Sequence, residues 1–321
     1  MTITASAGLI TILRQKTPRE SPPAIRALAA EILARHRDAA LAILWYGSCF
    51  RTGDDSNGIV DFYLVVDKYP HAYRRRIHAF LNKLLPPNVF YLEIPFEGGV
   101  RRSKYTVFSF KHFQQGATTR WFRSYLWSRL AQPMGLVYAR NNHVAEQVYA
   151  TMAHALLTFI TRVLPLMPRQ QFTSRELLCK GLALSYATEL RAERRDKLTD
   201  LFDAAPRYYE ELTRAAMDTV SYSVEETMSD NHAWRYRASI PALTRIASRV
   251  MWALRHLQGK TLSILQLVKG LYTFQGGLDY VLWKIERHSG VRIQIDHRLR
   301  QVPLVGVVVL FWRLYRRGAF R

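Results

Sequence analysis

The sequence predicts an α+β protein: a mixed-sheet domain, then a mainly helical domain, then an amphipathic C-terminal tail. Three observations carry that reading. Apolar residues alternate with a period of two in short runs between residues 41 and 110, as half-buried strands require. From Thr119 onward the apolar spacing becomes helical. The last stretch interleaves apolar and aromatic residues with Lys and Arg. The expected boundaries are a lead over 1–23, the sheet domain over 24–140, the helical domain over 141–258 and the tail over 259–321.

Taken in order, Pro18 to Pro23 is a polar, proline-bearing lead into an amphipathic helix, Ala24 to Arg37, whose Ile25, Leu28, Ile32 and Leu33 share a face. An apolar strand, Leu41 to Trp45, runs into the turn Tyr46-Gly47-Ser48-Cys49-Phe50. A second strand covers Val60 to Asp67, where alternation puts Asp61, Tyr63 and Val65 on one face and Phe62, Leu64 and Val66 on the other. Pro70 to Leu85 reads as a basic helix stopped by Pro86-Pro87. Asn88 to Phe96 is a third strand, Glu97-Gly98-Gly99 a turn, and Lys104 to Phe110 a fourth strand. Helical runs follow at Trp121 to Leu130, His143 to Leu164, Ser174 to Arg195, Leu198 to Thr219 and Ile240 to His256, punctuated by Pro165, Pro168 and Pro206. There is no internal repeat.

The turn after the first strand carries the chemistry. Gly47 lets the backbone bend sharply and present N–H groups to a phosphate, and the short Ser48 hydroxyl can join them. Asp61, at the start of the next strand, is placed to hold a hard cation that bridges phosphate oxygens. Strand, Gly-Ser turn and acid-led strand together form the arrangement by which nucleotidyltransferases hold a triphosphate, although a Gly-Ser pair alone is also an ordinary solvated turn. Where many such enzymes carry Asp-x-Asp, Tyr63 stands here, so one carboxylate is left and magnesium wants several oxygens. Glu93, Asp67, Asp54 and Asp55 are candidates for the second acid. Glu93 leads them because a carboxylate within a Val, Phe, Tyr, Leu and Ile strand is unusual for packing, the other reading being an edge-strand acid facing water.

Composition narrows the partners. Lys and Arg number 46 against 25 Asp and Glu, a formal net charge of +21, which calls for an anionic partner: nucleic acid, a lipid surface or a phosphorylated substrate. Cys49 and Cys179 are far apart, give no metal spacing and suit a reducing compartment; Cys49 reads as a small packed residue. Residues 1–13 lack the features of a signal peptide, and no apolar run reaches the roughly 18–20 residues of a membrane-spanning helix.

Further segments bear on identity: Ser103-Lys104-Tyr105-Thr106-Val107, Tyr125-Leu126-Trp127-Ser128-Arg129-Leu130-Ala131-Gln132-Pro133, and Leu265-Gln266-Leu267-Val268-Lys269-Gly270-Leu271-Tyr272-Thr273. With the Gly47-Ser48 and Asp61 segments they resemble the mitochondrial-type phosphatidate cytidylyltransferases, the family named for translocator assembly and maintenance. Its pattern runs Tyr-Gly-Ser-Gly, an Asp-led strand, Lys-Tyr-Gly, Ala-Gly-Arg-Leu-x-Lys-Pro and Ser-x-Lys-Gly-Leu-x-Thr-x-Gly. Order and spacing match from about residue 40 to 285, and Leu184-Ser185-Tyr186 with Glu189 and Arg191 resembles a fifth motif. The departures are Cys49, Thr106 and Ser128 for glycine and Gln132 for lysine, which suit a remote bacterial relative.

The resemblance implies a nucleotidyltransferase-like sheet domain and Mg²⁺-dependent transfer of CMP from CTP to phosphatidate, giving CDP-diacylglycerol and pyrophosphate. It implies nucleotide contacts from Tyr46, Gly47, Ser48 and Arg129, catalytic roles for Asp61 and Lys104, and metal binding by Asp61, which Glu93 leads the candidate acids to join. Lys269 and Gly270 are expected at the phosphatidate headgroup. The tail, with Lys284, Arg287 and Trp312, reads as an interfacial anchor that holds the protein peripherally on an anionic membrane, expected to be the cytoplasmic face of a bacterial inner membrane. The other reading of the tail is a core helix with a basic end. Two further classes compete: an RNA or tRNA nucleotidyltransferase, less expected because the charge is interleaved with apolar residues, and a non-catalytic membrane-associated protein.

Overall fold

A computed structural model of the chain describes residues 5–54, 58–189, 195–228 and 234–273. It is α+β, with a mixed five-stranded sheet. The strands are β1 (Ala40–Tyr46), β2 (Ile59–Val66), β3 (Asn88–Phe96), β4 (Gly99–Ser109) and β5 (Gly135–Ala139), in the order β3-β4-β2-β1-β5. β2 and β4 are parallel; the other neighbours are antiparallel.

Alternation along β2 sorts its side chains as the sequence predicts. Phe62, Leu64 and Val66 join Ile43 of β1 and the buried Ile25, Leu28 and Ile32 of the first long helix in one apolar cluster. Tyr63 and Val65 join Ala42 and Leu44 in the cluster on the opposite face. Before β1 stand α1 (Ala7–Lys16) and α2 (Pro23–His36), and α3 (Ser48–Thr52) follows it. The expected helix over 70–85 is two pieces, α4 (Tyr69–Ala72) and α5 (Arg76–Leu84), separated by an extended Tyr73. The break lets the Tyr73 hydroxyl meet the Asn82 side chain at 2.6 Å and its ring pack 6.0 Å from Phe90.

After β4 come α6 (Phe110–Gly116) and α7 (Tyr125–Leu130), then β5 and α8 (Asn142–Val163). β5, short and directly after Pro133-Met134, is not legible in the sequence pattern; it pairs with β1. β6 (Phe172–Thr173), α9 (Ser174–Ala187), α10 (Arg195–Asp203) and α11 (Pro206–Met217) follow. The single run expected over 198–219 divides because Pro206 opens its own helix. β7 (Ser223–Met228) and β8 (Trp234–Ser239) form a second sheet with β6, in the order β6-β8-β7. β7 is polar and mostly exposed, so no hydrophobic period announces it, whereas in β8 Trp234, Tyr236 and Ala238 alternate with Arg235, Arg237 and Ser239 and turn toward the core, a period-two signal that the sequence reading did not take up. α12 (Ala242–Thr273) is far longer than the expected 240–256.

α8 is the central element of the helical layer. It is the one helix among the described residues long and apolar enough to cross a membrane, and 78% of its apolar window is buried inside the protein. The stretch read as a lead is also structured: Ser6 caps α1, whose Leu9 and Leu13 are buried in the same core as the sheet residues Ala42 and Tyr63.

Candidate functional site

Strand register assembles a polar row across one end of the sheet. Tyr46 of β1 faces Asp61 of β2, Asp61 faces Lys104 of β4, and Lys104 faces Tyr91 of β3. Lys104 Nζ lies 3.0 Å from Asp61 Oδ1, with the side chains 35% and 21% exposed. An ion pair open to water to this degree contributes on the order of 1 kcal/mol or less, so an incoming phosphate can compete for the ammonium at little cost.

Gly47 is required by this pair. Its φ is 91°, and a Cβ there would stand 2.7 Å from Asp61 Oδ2. The turn's glycine thus makes room for the carboxylate, a role the sequence reading assigned to a phosphate. Ser48 is exposed in the first turn of α3. Cys49 is buried, donates its thiol to the Ile59 carbonyl at 3.3 Å and occupies the space a Gly58 side chain would need, so it is the packed residue expected.

Beside the row lies an aromatic and arginine cluster. Tyr46 stacks on Tyr63 at 4.2 Å with a 6° interplanar angle, and Tyr63 is fully buried against Phe108. Tyr63 occupies the second acid's position because that face of β2 enters the core, where an unpaired carboxylate would be costly. Burial first, then the Tyr125 phenol, pushes both phenols far up; Asp61 adds to the effect on Tyr46 and the Arg129 charge opposes it.

Arg129 is clamped by two hydrogen bonds to Glu189, at 2.6 and 2.9 Å, and its guanidinium lies 4.3 Å from the Tyr125 ring centroid and 5.3 Å from that of Tyr186. Burial pulls its pKa down, but Glu189 outweighs burial and the net shift is upward. Arg129 is therefore a partly buried, paired cation near Tyr46. Ser128 and Gln132 both find partners nearby: the Ser128 hydroxyl accepts from Ser185 at 2.7 Å, and Gln132 donates to Tyr186 at 3.2 Å.

Of the acids expected to join Asp61 at a magnesium site, Glu93 and Asp67 are engaged with other groups. Glu93, on the edge strand β3, is exposed, accepts from the Tyr91 hydroxyl at 2.6 Å and pairs with Arg102 at 3.0 Å. That is the edge-strand reading of this residue. Asp67 lies at the other end of β2, six residues or about 20 Å along the strand from Asp61, and is bonded to the Lys68 backbone and to His71. Asp55 lies outside the described residues, among which no group of three or more His, Cys, Asp or Glu could hold a metal. Asp54 is exposed in the loop after α3, and Asp61 faces a lysine.

Of the residues expected at the headgroup, Lys269 is engaged within the chain. Lys269, near the end of α12, is 8% exposed; its ammonium donates to the carbonyls of Leu85 and Pro87, the latter at 2.6 Å. Burial, reinforced by Arg123, lowers its pKa to about 7. It ties α12 to the loop after α5. Gly270 is half-buried with open space around it, and Lys284, Arg287 and Trp312 lie outside the described residues. The structure thus unites Tyr46, Gly47, Asp61 and Lys104 and sets Arg129 near Tyr46. It adds Tyr91 and Arg102, which strand alternation from Glu93 and Lys104 could have placed on the same face. No protein-family model matches the sequence, and no curated protein matches it.

Proposed function

We propose that the chain is a nucleotidyltransferase acting on a lipid phosphate: transfer of CMP from CTP to phosphatidate, giving CDP-diacylglycerol and pyrophosphate. The observation that carries the reading is the half-open Asp61–Lys104 pair packed against the Gly47 turn. A phosphate oxygen of phosphatidate forms a bond to the α-phosphorus of CTP as the α–β bond breaks. The nucleophile is already an anion, so positioning and charge neutralisation supply most of the catalysis. Lys104 would exchange its contact with Asp61 for a triphosphate oxygen, and Tyr46 and Gly47 would bound the site. Magnesium would enter on the triphosphate as part of the substrate, with substrate oxygens and water completing what Asp61 alone lacks.

A non-catalytic reading is favoured by one observation, the commitment of Arg129 to Glu189 and of Glu93 to Arg102. An assay with labelled CTP, Mg²⁺ and phosphatidate vesicles separates the two. The wild-type chain should form CDP-lipid, and Asp61→Ala and Lys104→Ala should each lower the rate about a hundredfold, the scale of removing one group that stabilises transition-state charge. No CDP-lipid from the wild type, with no Mg²⁺-dependent CTP binding, would establish the non-catalytic alternative. Full activity in Asp61→Ala would overturn the mechanism.

A further inference from the structure

α12 turns three of its cations inward and a row of its apolar side chains outward. Arg245, Arg255 and Lys269 are buried, each donating to backbone carbonyls of other elements. Leu243, Ile246, Val250, Leu254 and Leu257 form a stripe at helical spacing and are all about half exposed or more, Leu243 reaching 81%. An apolar stripe of this length on a monomer's surface marks an interaction site. No Asp or Glu occurs between residues 242 and 273.

A cleft of about 410 Å³ opens where this stripe begins. Arg169, from the turn after α8, and Arg245 and Arg249, from the first two turns of α12, line it together with Leu166, Met167 and Ile246; no carboxylate does. Arg245 is 8% exposed; its Nη1 donates to Pro165 O at 3.3 Å and Met167 O at 2.6 Å, while its buried Nε has no hydrogen-bond partner. Burial, then the charges of Arg169 and Arg249, lowers its pKa. Three guanidiniums around one cleft repel one another, and an anion among them removes that repulsion while meeting planar donors suited to phosphate.

We propose that this cleft binds the phosphate headgroup of an anionic phospholipid and that the α12 stripe lies against the lipid surface beside it. A free phosphate would need the arginines alone. The stripe meets the cleft at Ile246, which belongs to both, and continues away from it as apolar surface flanked by Arg249 and His256, the pattern of a helix lying in an anionic interface. The surface lies upstream of most of the tail that the sequence marks as membrane-seeking. It stands apart from the nucleotidyl-transfer reading, whose residues are on other elements.

The test is sedimentation of the full chain with vesicles of phosphatidylcholine alone or containing phosphatidylglycerol or phosphatidate. Wild-type protein should bind the anionic vesicles selectively. The double variant Arg169→Gln/Arg249→Gln, both at exposed positions, should bind them about thirtyfold more weakly, from about fivefold for each arginine at an anionic surface. Leu243→Gln/Leu257→Gln should weaken binding with no change in melting temperature. Equal binding by wild type and arginine variant overturns the proposal, as does wild-type binding that ignores lipid charge. Arginine-dependent binding of inorganic phosphate without vesicle binding would assign the cleft to a soluble anion. A lowered melting temperature in the stripe variant would place the stripe inside the chain's own packing, and a dimer that dissociates on its substitution would assign it to a second copy. Either result defeats the lipid assignment.

Discussion

α8 and α12 are the two longest helices among the described residues, and they bury opposite chemistries. α8 encloses an apolar surface: Val148, Met152, Phe159 and Ile160 are all within the core shared with the sheet. α12 encloses cations and leaves leucines in the open. By hydropathy alone α8 would be the membrane helix, yet most of its apolar window is buried inside the protein. The difference teaches that mean hydropathy says little about a helix's partner; the face that other elements cover decides it. α5 repeats the α12 arrangement on a small scale, burying His78 and Asn82 while Ile77, Phe80 and Leu84 are more than half exposed.

The largest test of that contrast is at α8. Phe159 is buried with its ring 6.2 Å from Trp127, and Gly181 of α9 approaches it so closely that a Cβ there would collide with the ring. Phe159→Ala should cost about 3–5 kcal/mol in urea unfolding, the usual penalty for an emptied aromatic site. A cost under about 1 kcal/mol would mean that α8 is not the core element described.

A buried basic group on the sheet's other face sharpens the comparison with the buried cations of α12. His36 is held by the Ala72 carbonyl at 3.1 Å and the Tyr105 hydroxyl at 3.3 Å, a neutral ring donating from one nitrogen and accepting at the other. Burial lowers its pKa to about 4, from 6.5, against the pull of the Ala72 carbonyl. The unfolded chain therefore takes up a proton at higher pH than the native one. The contribution is intact above about pH 6.5 and is lost as pH falls toward 4, up to about 3 kcal/mol in all. Urea unfolding measured across that window should show the slope, and His36→Gln should flatten it; an unchanged slope would refute the assignment.

Smaller effects are expected along α12. Arg255 donates to the Phe122 carbonyl at 2.9 Å and lies over the Phe122 and Trp252 rings at 4.6 and 5.3 Å. Arg255→Met should cost about 1–3 kcal/mol by leaving a buried carbonyl short of its donor. A stabilised variant would show that the buried cation is no anchor. Leu257→Gln, on the outward face, should change stability by less than about 0.5 kcal/mol, because little is packed against that side chain. A larger thermal shift would contradict the open face and erase the contrast with α8.

Much of the sheet was legible. Alternation through Asp61, Tyr63 and Val65 placed the faces of β2 correctly, and Asn88–Phe96 was read to the residue, because strand period and flanking prolines are local signals. β5, β7 and β8 were not: β5 is too short, β7 is polar and exposed, and β8 carries a local signal, Trp234, Tyr236 and Ala238 alternating with polar residues, that went unread. At the candidate site, Asp61, Gly47 and Lys104 were singled out as a set, whereas the partners that engage Glu93 and Arg129 were missed. Arg102 and Glu189 reach those residues through strand register and through the docking of α9, neither of which has a local sequence signature.

By itself the sequence determined the α+β class, the strand faces, the turn at Gly47 and the excess of positive charge, all set by periods of two and 3.6 residues and by side-chain chemistry. Tertiary structure decided which charges are paired, that Tyr63 belongs to the core, that Gly47 yields space to a carboxylate, and that Lys269 faces inward. The physical reason is common to these: pairing and burial depend on what another part of the chain, 14 to 182 residues away, brings into contact.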